Sequence, residues 1–301
     1  MKLAIFGKLT DRTDLNLLAR FFRFMQERSI EYRVHYGYAR ELEKVLTDWK
    51  QVVKPYLLEQ RAQMKGYDFA YSFGGDGTFL NTVMFVRNQL PVLGVNFGRL
   101  GFLTSVTQEN LFIATEELMK DIYRIEVRHG LVVESDPPHL FGDYNFGLND
   151  LTLHKAQSNE MITVHTYING EFLNSYWGDG LIIATPTGST AYSLACGGPI
   201  IHPTANSVAI TPVAPHSLTV RPIIVPDESV ISFGIESRTG QAMIALDTRT
   251  VLIETNVEVA VRKSENPVRL VRVQSSNYLG TLRDRLSWGS DSRNWKERMG
   301  K

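Results

Sequence analysis

The stretch "DFAYSFGGDGTFLNTVMFVRNQ", residues 68–89, joins an apolar run, a glycine loop and a second apolar run. The first run is typical of a buried strand, and the spacing in the second predicts a helix. The loop holds three glycines around one acid, Asp76. A strand, small residues and a helix N-terminus together present backbone N–H groups to an anion. The loop lacks the lysine and hydroxyl residue that close a Walker sequence, so its acid needs a separate explanation.

Two interpretations of Asp76 follow from the residues alone. In the first, the glycines make a tight turn and Asp76 only caps the helix, which aspartate does well. In the second, the glycine backbone holds a phosphate, and Asp76 accepts the proton of a substrate hydroxyl as a general base. Magnesium on a nucleotide would then offset the repulsion between the carboxylate and the phosphates. The second interpretation predicts phosphoryl transfer to an alcohol.

Strand and helix patterns alternate in the first part of the chain and give way to β patterns after about Tyr123. Such alternation predicts a mostly parallel sheet. We predict strands at 3–7, 32–36, 68–73 and 91–97, and helices around 15–25, 38–66 (broken near Pro55), 78–89 and 107–122, with Thr107 as N-cap. The fold class is therefore a Rossmann-like α/β domain at 1–125 and an all-β, mainly antiparallel domain at 126–276. A tail of about 277–301 is expected to return to the first domain, partly as a helix.

Composition narrows the class of protein. The chain has 301 residues, 43% of them hydrophobic, and a formal net charge of zero. A neutral balance argues against a nucleic-acid or membrane partner. Cys196 is the single cysteine, so no internal disulfide forms, which favours a cytoplasmic location. The apolar run at the N-terminus is too short for a signal peptide or a membrane span.

Three polar segments in the second half are candidate ligand sites. The run "ATPTGSTAYSLACGGPI", residues 184–200, places four hydroxyls in six residues, which suits uncharged recognition of a base and ribose. The alternative is a solvated Ser/Thr-rich turn, against which stand the small residues of "YSLACGG", where close packing or a ligand could fit. "GLND", residues 147–150, is either a turn at a strand end or an amide and a carboxylate for an adenosine. "WGDGL", residues 177–181, is a common hairpin signal. The histidines and the cysteine show no metal spacing, so no metal ligand is assigned.

Five stretches together resemble the NAD kinase family: "GGDGT" at 74–78, "LGVNFGRLGFLT" at 93–104, "LND" at 148–150, "DGLIIATPTGSTAYSLACGGPIIHP" at 179–203 and "TPVAPHSLTVRP" at 211–222. "GGDGT" is shared with lipid kinases, whereas "TPTGSTAYS" and "PHSLTVRP" are specific. The resemblance implies an α/β domain followed by a β domain. It also implies a homodimer or homotetramer whose dinucleotide site is shared between subunits.

The resemblance further implies a reaction and a set of site residues. ATP with Mg²⁺ would phosphorylate the 2′-hydroxyl of the adenosine ribose of NAD, giving NADP, and Asp76 would be the base. The remaining implied contacts are the phosphate-side Gly74, Gly75, Gly77 and Thr78, the adenine-side Phe102 and Asn149, the ribose-side Asp150, the adenosine-side Thr187, Thr190 and Ala191, the pocket residue Tyr192, and the nicotinamide-side Asp179 and Ala195. Two positions depart from the family, since Asp150 stands where glutamate is frequent and Ala195 where serine is frequent.

Two other functions stay open on the sequence. A lipid kinase would use the same loop but needs an apolar acceptor pocket or a membrane-binding surface. A dinucleotide sensor would bind NAD or NADP without turnover, and the acid in the loop argues against it. Lys8, Arg99 and Arg221 are candidates to hold the polyphosphates, with a solvated surface charge as the equal alternative for each. ATP or polyphosphate as donor, and NAD or NADH as acceptor, are not distinguished.

Overall fold

A computed structural model describes residues 1–46, 57–58, 61–98, 101–274 and 278–287. The chain begins with β1 (Lys2–Gly7), α1 (Leu15–Glu27), β2 (Glu31–His35), α2 (Tyr36–Val45), β3 (Leu57–Leu58), β4 (Phe69–Phe73), α3 (Asp76–Val86), β5 (Val92–Asn96), β6 (Val106–Thr107), α4 (Leu111–Met119) and β7 (Tyr123–Arg128). It continues with β8 (Leu131–Asp136), β9 (Phe146–Gly147), β10 (Asp150–Lys155), β11 (Ile162–Ile168), β12 (Glu171–Gly178), β13 (Gly180–Ala184) and α5 (Tyr192–Ala195). It ends with β14 (Ser207–Val213), β15 (Ile223–Pro226), β16 (Ile231–Glu236), β17 (Gln241–Leu246), β18 (Arg249–Glu254), β19 (Glu258–Lys263), β20 (Val268–Val273) and α6 (Tyr278–Leu286).

The chain divides into two compact units. The first contains the described residues of Met1–Glu126 and of Arg269–Lys301, and the second is Val127–Val268. In the described part of the chain, eight strands form the sheet of the first unit, in the order β3-β2-β1-β4-β5-β20-β7 with β6 beside β5. The pairings of β1 with β2 and β4, and of β4 with β5, are parallel. Parallel pairing places the carboxyl ends of β1, β4 and β5 at one edge of the sheet.

A group of aromatic residues lies in the core of the first unit. Phe21 of α1 is fully buried and packs against Tyr71 and Phe73 of β4, with ring centroids 6.3 and 5.9 Å away. All five residues of β4 and of β5 are buried, as expected for strands covered on both faces. These two rigid strands lead directly into the segments that carry the candidate site.

Three local predictions in this unit need correction. The helix predicted over 38–66 is wrong at residues 57–58, which form β3 and pair in parallel with β2; Pro55 lies outside the described residues. Thr107 precedes a short 3₁₀ turn and makes no side-chain cap hydrogen bond, while α4 itself starts at Leu111. The helix after the glycine loop begins at Asp76, two residues earlier than predicted. Strand β3 exists through pairing, which a local pattern does not encode.

The second unit is built from antiparallel strands. Within the described residues, six strands form each of two sheets, ordered β15-β14-β13-β10-β17-β18 and β12-β11-β16-β19-β8-β9. Alternate residues of β11, β16 and β17 are buried, and they contribute to one apolar core that includes Leu151, Leu153, Val164, Ile183 and Ile244. The predicted fold class, an α/β domain and an all-β domain, is confirmed. No helix in the described ranges is long and apolar enough to cross a membrane.

Candidate active site

The glycine loop follows β4 at the carboxyl edge of the parallel sheet. Gly74 is buried with φ +145°, and its N–H donates to the carbonyl of Val95 at 2.9 Å. A Cβ on Gly74 would lie 2.6 Å from Oγ1 of Thr78. Glycine at position 74 is therefore required by the fold itself, through both its backbone conformation and its close neighbour.

Gly75 and Gly77 have no such structural requirement. Both are exposed, neither has a positive φ, and a Cβ on either would meet nothing within 4 Å. Gly75 is the N-cap of α3, so the exposed backbone N–H groups of the first turn face this open space. Glycine where the fold tolerates a side chain indicates the close approach of something other than this chain.

We expect Gly77→Ala to keep the fold and weaken nucleotide binding. Alanine in the first turn of α3 should leave the free energy of unfolding unchanged or raise it by up to about 1 kcal/mol. If the backbone contacts the phosphates of ATP, the nucleotide that the resemblance implies, the KM for ATP should rise about tenfold, a loss of ~1.4 kcal/mol. Gly37→Ala in α2 is the matched control, since its Cβ would meet only ordinary contacts at 3.5 Å. An unchanged KM in Gly77→Ala would contradict the phosphate contact.

Asp76 does not cap α3, because Gly75 occupies the cap position. The carboxylate of Asp76 instead accepts hydrogen bonds from the chain 26 to 28 residues further on. Its Oδ1 accepts from Leu103 N at 3.2 Å, Thr104 N at 3.1 Å and Thr104 Oγ1 at 3.0 Å. Its Oδ2 accepts one such bond, from Phe102 N at 2.8 Å. The structure thus brings together two predicted site residues, Asp76 and Phe102.

Further contacts hold the segment Gly101–Thr104 in place. Asn96 Nδ2 donates to Thr104 Oγ1 at 2.9 Å, which directs the threonine proton to Asp76. A Cβ on Gly94 would lie 2.8 Å from the Thr104 Cα, and one on Gly101 would lie 1.9 Å from Asp76 Oδ1. These close approaches explain two glycines of "LGVNFGRLGF" as packing requirements. They place the Asp76 carboxylate in one fixed orientation.

Two arginines flank the same segment. Buried Arg272 of β20 donates from NH1 to the Leu103 carbonyl at 3.4 Å and pairs with Glu126 at 3.3 Å. Arg285 of α6 lies over the ring of Phe102, 5.7 Å from its centroid, within the range of a cation–π contact. The ring of half-buried Phe102 therefore has Arg285 as a cation–π partner.

In the second unit, Asn149 and Asp150 are held by an acid that the sequence reading missed. Asp247, in the turn between β17 and β18, accepts from Leu148 N at 2.7 Å, Asn149 N at 2.8 Å and Asp150 N at 3.3 Å. Asp247 N donates in return to the Asp150 carbonyl at 3.1 Å. Asp247 has φ +52°, a conformation that aspartate tolerates in tight turns. No pattern in "ALDTRT" separates this acid from an ordinary hairpin residue.

Burial raises the pKa of the Asp150 carboxyl to about 7, and repulsion from Asp247 adds to the shift. Burial likewise raises the pKa of Asp247, while the three backbone N–H donors and Arg249 oppose the rise. Asp150 is only 7% exposed, and its Oδ1 accepts from Thr152 Oγ1 at 3.4 Å. A carboxyl poised in this way gains or loses its proton near neutral pH.

We expect Asp150→Asn to flatten the pH dependence of stability. Because the folded pKa lies above the unfolded value, Asp150 costs stability as the pH rises from about 4 to about 7. Between pH 5 and pH 8 the variant should gain about 2–3 kcal/mol relative to wild type in urea unfolding. Asp143→Asn, at an exposed carboxyl of the same unit, is the control. A pH profile of Asp150→Asn parallel to wild type would contradict the raised pKa.

The turn "TPTGST" packs directly on "GLND". Thr185 N donates to the Asn149 carbonyl at 2.9 Å, and Thr185 Oγ1 donates to the Leu148 carbonyl at 2.7 Å. Gly188 N donates to Thr185 Oγ1 at 3.0 Å, and a Cβ on Gly188 would lie 2.1 Å from the Asn149 carbonyl oxygen. The solvated-turn reading of this segment is therefore wrong, since Thr185, Thr187, Gly188 and Ser189 are buried.

The predicted adenosine-side residues occupy neighbouring positions on this turn and on α5. Thr187 is buried and Thr190 half-buried; Ala191 is the N-cap of α5, while Tyr192 and Ala195 of α5 are exposed. Thr190 Oγ1 donates to the Thr187 carbonyl at 3.2 Å, and Arg128 NH1 donates to Thr187 Oγ1 at 3.0 Å. Partial burial raises the pKa of the Tyr192 hydroxyl, with the neighbouring Cys196 contributing. Thr187 thus has a charged neighbour, Arg128, that sequence reasoning did not identify.

Asp179 does not lie in a hairpin. The strands on either side of it, β12 and β13, belong to different sheets, so the hairpin reading is wrong. Lys155 Nζ lies 2.7 Å from Asp179 Oδ1 and also donates to the Ser158 carbonyl at 3.0 Å. This ion pair fixes the carboxylate at the end of β10 and was not predicted.

Of the three basic residues suggested for phosphate binding, the structure describes Lys8 and Arg221. Arg221 donates from NH1 to the Leu218 and Val220 carbonyls, so its guanidinium braces its own loop. Lys8 is exposed after β1, and Arg99 lies outside the described residues. Among the residues that the structure describes, no group of three or more His, Cys, Asp or Glu is placed to hold a metal ion.

An acid on a glycine loop in an α/β unit, followed by an antiparallel unit that carries a polar turn, fits the two-domain kinase that the resemblance implies. Residues 3–123 match the model of the ATP-NAD kinase N-terminal domain, and residues 148–273 match that of the ATP-NAD kinase C-terminal domain. The chain therefore belongs to the NAD kinase family, which confirms the resemblance and decides against the lipid-kinase and sensor readings.

Two relatives named NAD kinase align with most of the chain. The NAD kinase of Cytophaga hutchinsonii is 48% identical over 228 residues, which are 75% of this chain and 78% of that protein. The NAD kinase of Flavobacterium psychrophilum is 37% identical over 298 residues, covering 98% of this chain and all of that protein, 100%.

Two solved structures share the fold. Yeast NADH kinase complexed with NADH gives a TM-score of 0.83 at 23% identity, over 97% of this chain and 88% of that one. An NAD kinase from Archaeoglobus fulgidus in complex with ATP gives 0.72 at 22% identity, over 94% and 99% of the two chains.

Proposed function

We propose that this kinase transfers the γ-phosphoryl group of ATP to the 2′-hydroxyl of the adenosine ribose of NAD, giving NADP. The observation that carries the proposal is the Asp76 carboxylate, fixed at the first turn of α3 beside the open space over Gly75 and Gly77. A positioned carboxylate next to exposed backbone donors suits proton removal from a hydroxyl that attacks a phosphate. Mg²⁺ enters with ATP as part of the substrate and neutralises the phosphate charge.

We assign the base to Oδ2 of Asp76. Oδ1 accepts three hydrogen bonds from Leu103 and Thr104, whereas Oδ2 accepts one from Phe102 N. Oδ2 therefore keeps a lone pair for the substrate hydroxyl. In the reaction the ribose oxygen bonds to the γ-phosphorus, the bond from that phosphorus to the bridging oxygen breaks, and the hydroxyl proton passes to Asp76.

The second unit supplies the proposed dinucleotide contacts. Asp247 accepts from the backbone N–H groups of Asn149 and Asp150, and Thr185 N joins Asn149 to the "TPTGST" turn. On that turn Thr190 donates to the Thr187 carbonyl. The side-chain amide of Asn149 makes no hydrogen bond to any described residue, so its donor and acceptor are available to a base. Asp179, held by Lys155, is the proposed contact on the nicotinamide side. We also propose a cytoplasmic homodimer or homotetramer.

The test is to incubate the protein with NAD, ATP and magnesium and to measure NADP with an NADP-specific dehydrogenase. We expect a signal that requires all three components. Polyphosphate in place of ATP, and NADH in place of NAD, define the donor and the acceptor. NAD binding without NADP formation under any donor would contradict the proposed reaction.

A further inference from the structure

The polarity of two hydroxyls on the "TPTGST" turn is fixed by their protein partners. A guanidinium only donates, so Thr187 Oγ1 must accept from Arg128 NH1, 3.0 Å away. A hydroxyl carries one proton, and no described residue accepts the one on Thr187. The Thr187 hydroxyl can therefore donate a hydrogen bond to a ligand that lies against it.

Thr190 has the opposite polarity. Its Oγ1 donates to the Thr187 carbonyl at 3.2 Å, because a carbonyl can only accept. The proton of Thr190 is thus used within the turn, and its lone pairs remain for a ligand. The turn therefore offers a ligand a hydrogen-bond donor at Thr187 and, three residues later, an acceptor at Thr190.

This order of donor and acceptor matches a 6-amino purine. On its Watson–Crick edge adenine carries N1, which accepts, beside a 6-amino group, which donates, whereas a 6-oxo purine carries a proton on N1 and an acceptor oxygen at position 6, so both polarities are reversed. The Asn149 amide can rotate to suit either base, so it does not discriminate by itself. Arg128 is 3% and Thr187 6% exposed, so water compensates poorly for a mismatch there.

We infer that Arg128 is a positioning residue that fixes Thr187 as a donor to adenine N1, while Thr190 accepts from the 6-amino group, so that this turn selects 6-amino over 6-oxo purine dinucleotides. The inference rests on the proposed function, since it takes the adenosine of NAD as the ligand of this turn. Arg128 itself touches no substrate in this scheme. It acts only through the Thr187 hydroxyl.

The test is equilibrium binding of NAD and of its hypoxanthine analogue by calorimetry, without ATP. Wild type should bind NAD at least about tenfold more tightly than the analogue, the value of one well-matched hydrogen bond. Thr187→Val should lose most of this preference, and Thr187→Ser should keep it. Arg128→Met should lose the preference to a similar extent, and Arg128→Lys, which keeps a cationic donor, should recover part of it.

The double variant Arg128→Met/Thr187→Val distinguishes positioning from a general structural role. If Arg128 acts through Thr187, the double variant should be no less selective than Thr187→Val alone. The inference would be overturned if the losses of NAD preference in the two single variants multiplied in the double variant. It would also be overturned if Thr187→Val left the preference unchanged. If circular dichroism shows that Arg128→Met does not fold, the variants Thr187→Val, Thr187→Ser and Arg128→Lys still test the inference.

The same measurements distinguish a failure of the proposed function from a failure of the inference. A wild type that binds NAD selectively but forms no NADP would contradict the reaction and leave the inference standing. A wild type that binds no NAD would overturn both. Selective binding that persists in every variant would overturn the inference alone.

Discussion

Asp76→Asn is expected to lower kcat by about 10²–10⁴-fold, the usual contribution of a general base. Asparagine keeps the size of the side chain and one carbonyl oxygen, so part of the contact with residues 102–104 survives. The Kd for NAD should therefore change much less than kcat. Turnover is measured as NADP formation, and the Kd by calorimetry without ATP.

The control for Asp76→Asn separates base chemistry from loop positioning. Thr104→Val removes one of the four hydrogen bonds to the Asp76 carboxylate and leaves the acid in place. One such bond is worth about 1 kcal/mol, so kcat should fall by less than about tenfold. Equal losses in the two variants would show that Asp76 acts only by holding the segment Gly101–Thr104.

Gly188→Ala is expected to lower the free energy of unfolding by about 3 kcal/mol and to abolish tight NAD binding. The new Cβ would lie 2.1 Å from the carbonyl oxygen and 2.5 Å from the carbonyl carbon of Asn149. Both are backbone atoms, so no side-chain rotation relieves the overlap. The displacement would separate the "TPTGST" turn from Asn149 and Asp150.

Urea denaturation followed by circular dichroism measures the stability effect of Gly188→Ala. Gly234→Ala in β16 of the same unit is the matched control, because its Cβ would meet only His165 atoms at 3.7 Å or more. We expect the control to unfold and to bind NAD as wild type does. If Gly188→Ala were as stable as the control, the close packing of the two segments would be contradicted.

The sequence by itself determined the features that depend on neighbouring residues. The alternation of apolar runs predicted β4, α3 and β5, because helical and strand periodicities are local properties of the chain. The family stretches identified the glycine loop, "GLND" and the "TPTGST" turn, because their glycines and hydroxyls recur at fixed spacing. After Tyr123 the alternating strand and helix patterns give way to β patterns. This change predicted a second, β-rich unit, because strand periodicity is also a local property of the chain.

The tertiary structure alone decided which side chains hold these stretches in place. Asp247 meets Asn149 from 98 residues away, Arg128 meets Thr187 from 59, and Asp76 meets Thr104 from 28. Hydrogen bonds between such distant residues form only when the fold brings separate segments of the chain together, and no local spacing encodes that approach. The same limit hid β3, whose two residues are a strand only beside β2. The sequence therefore identified the candidate ligand contacts, whereas the partners that orient them became visible only in the fold.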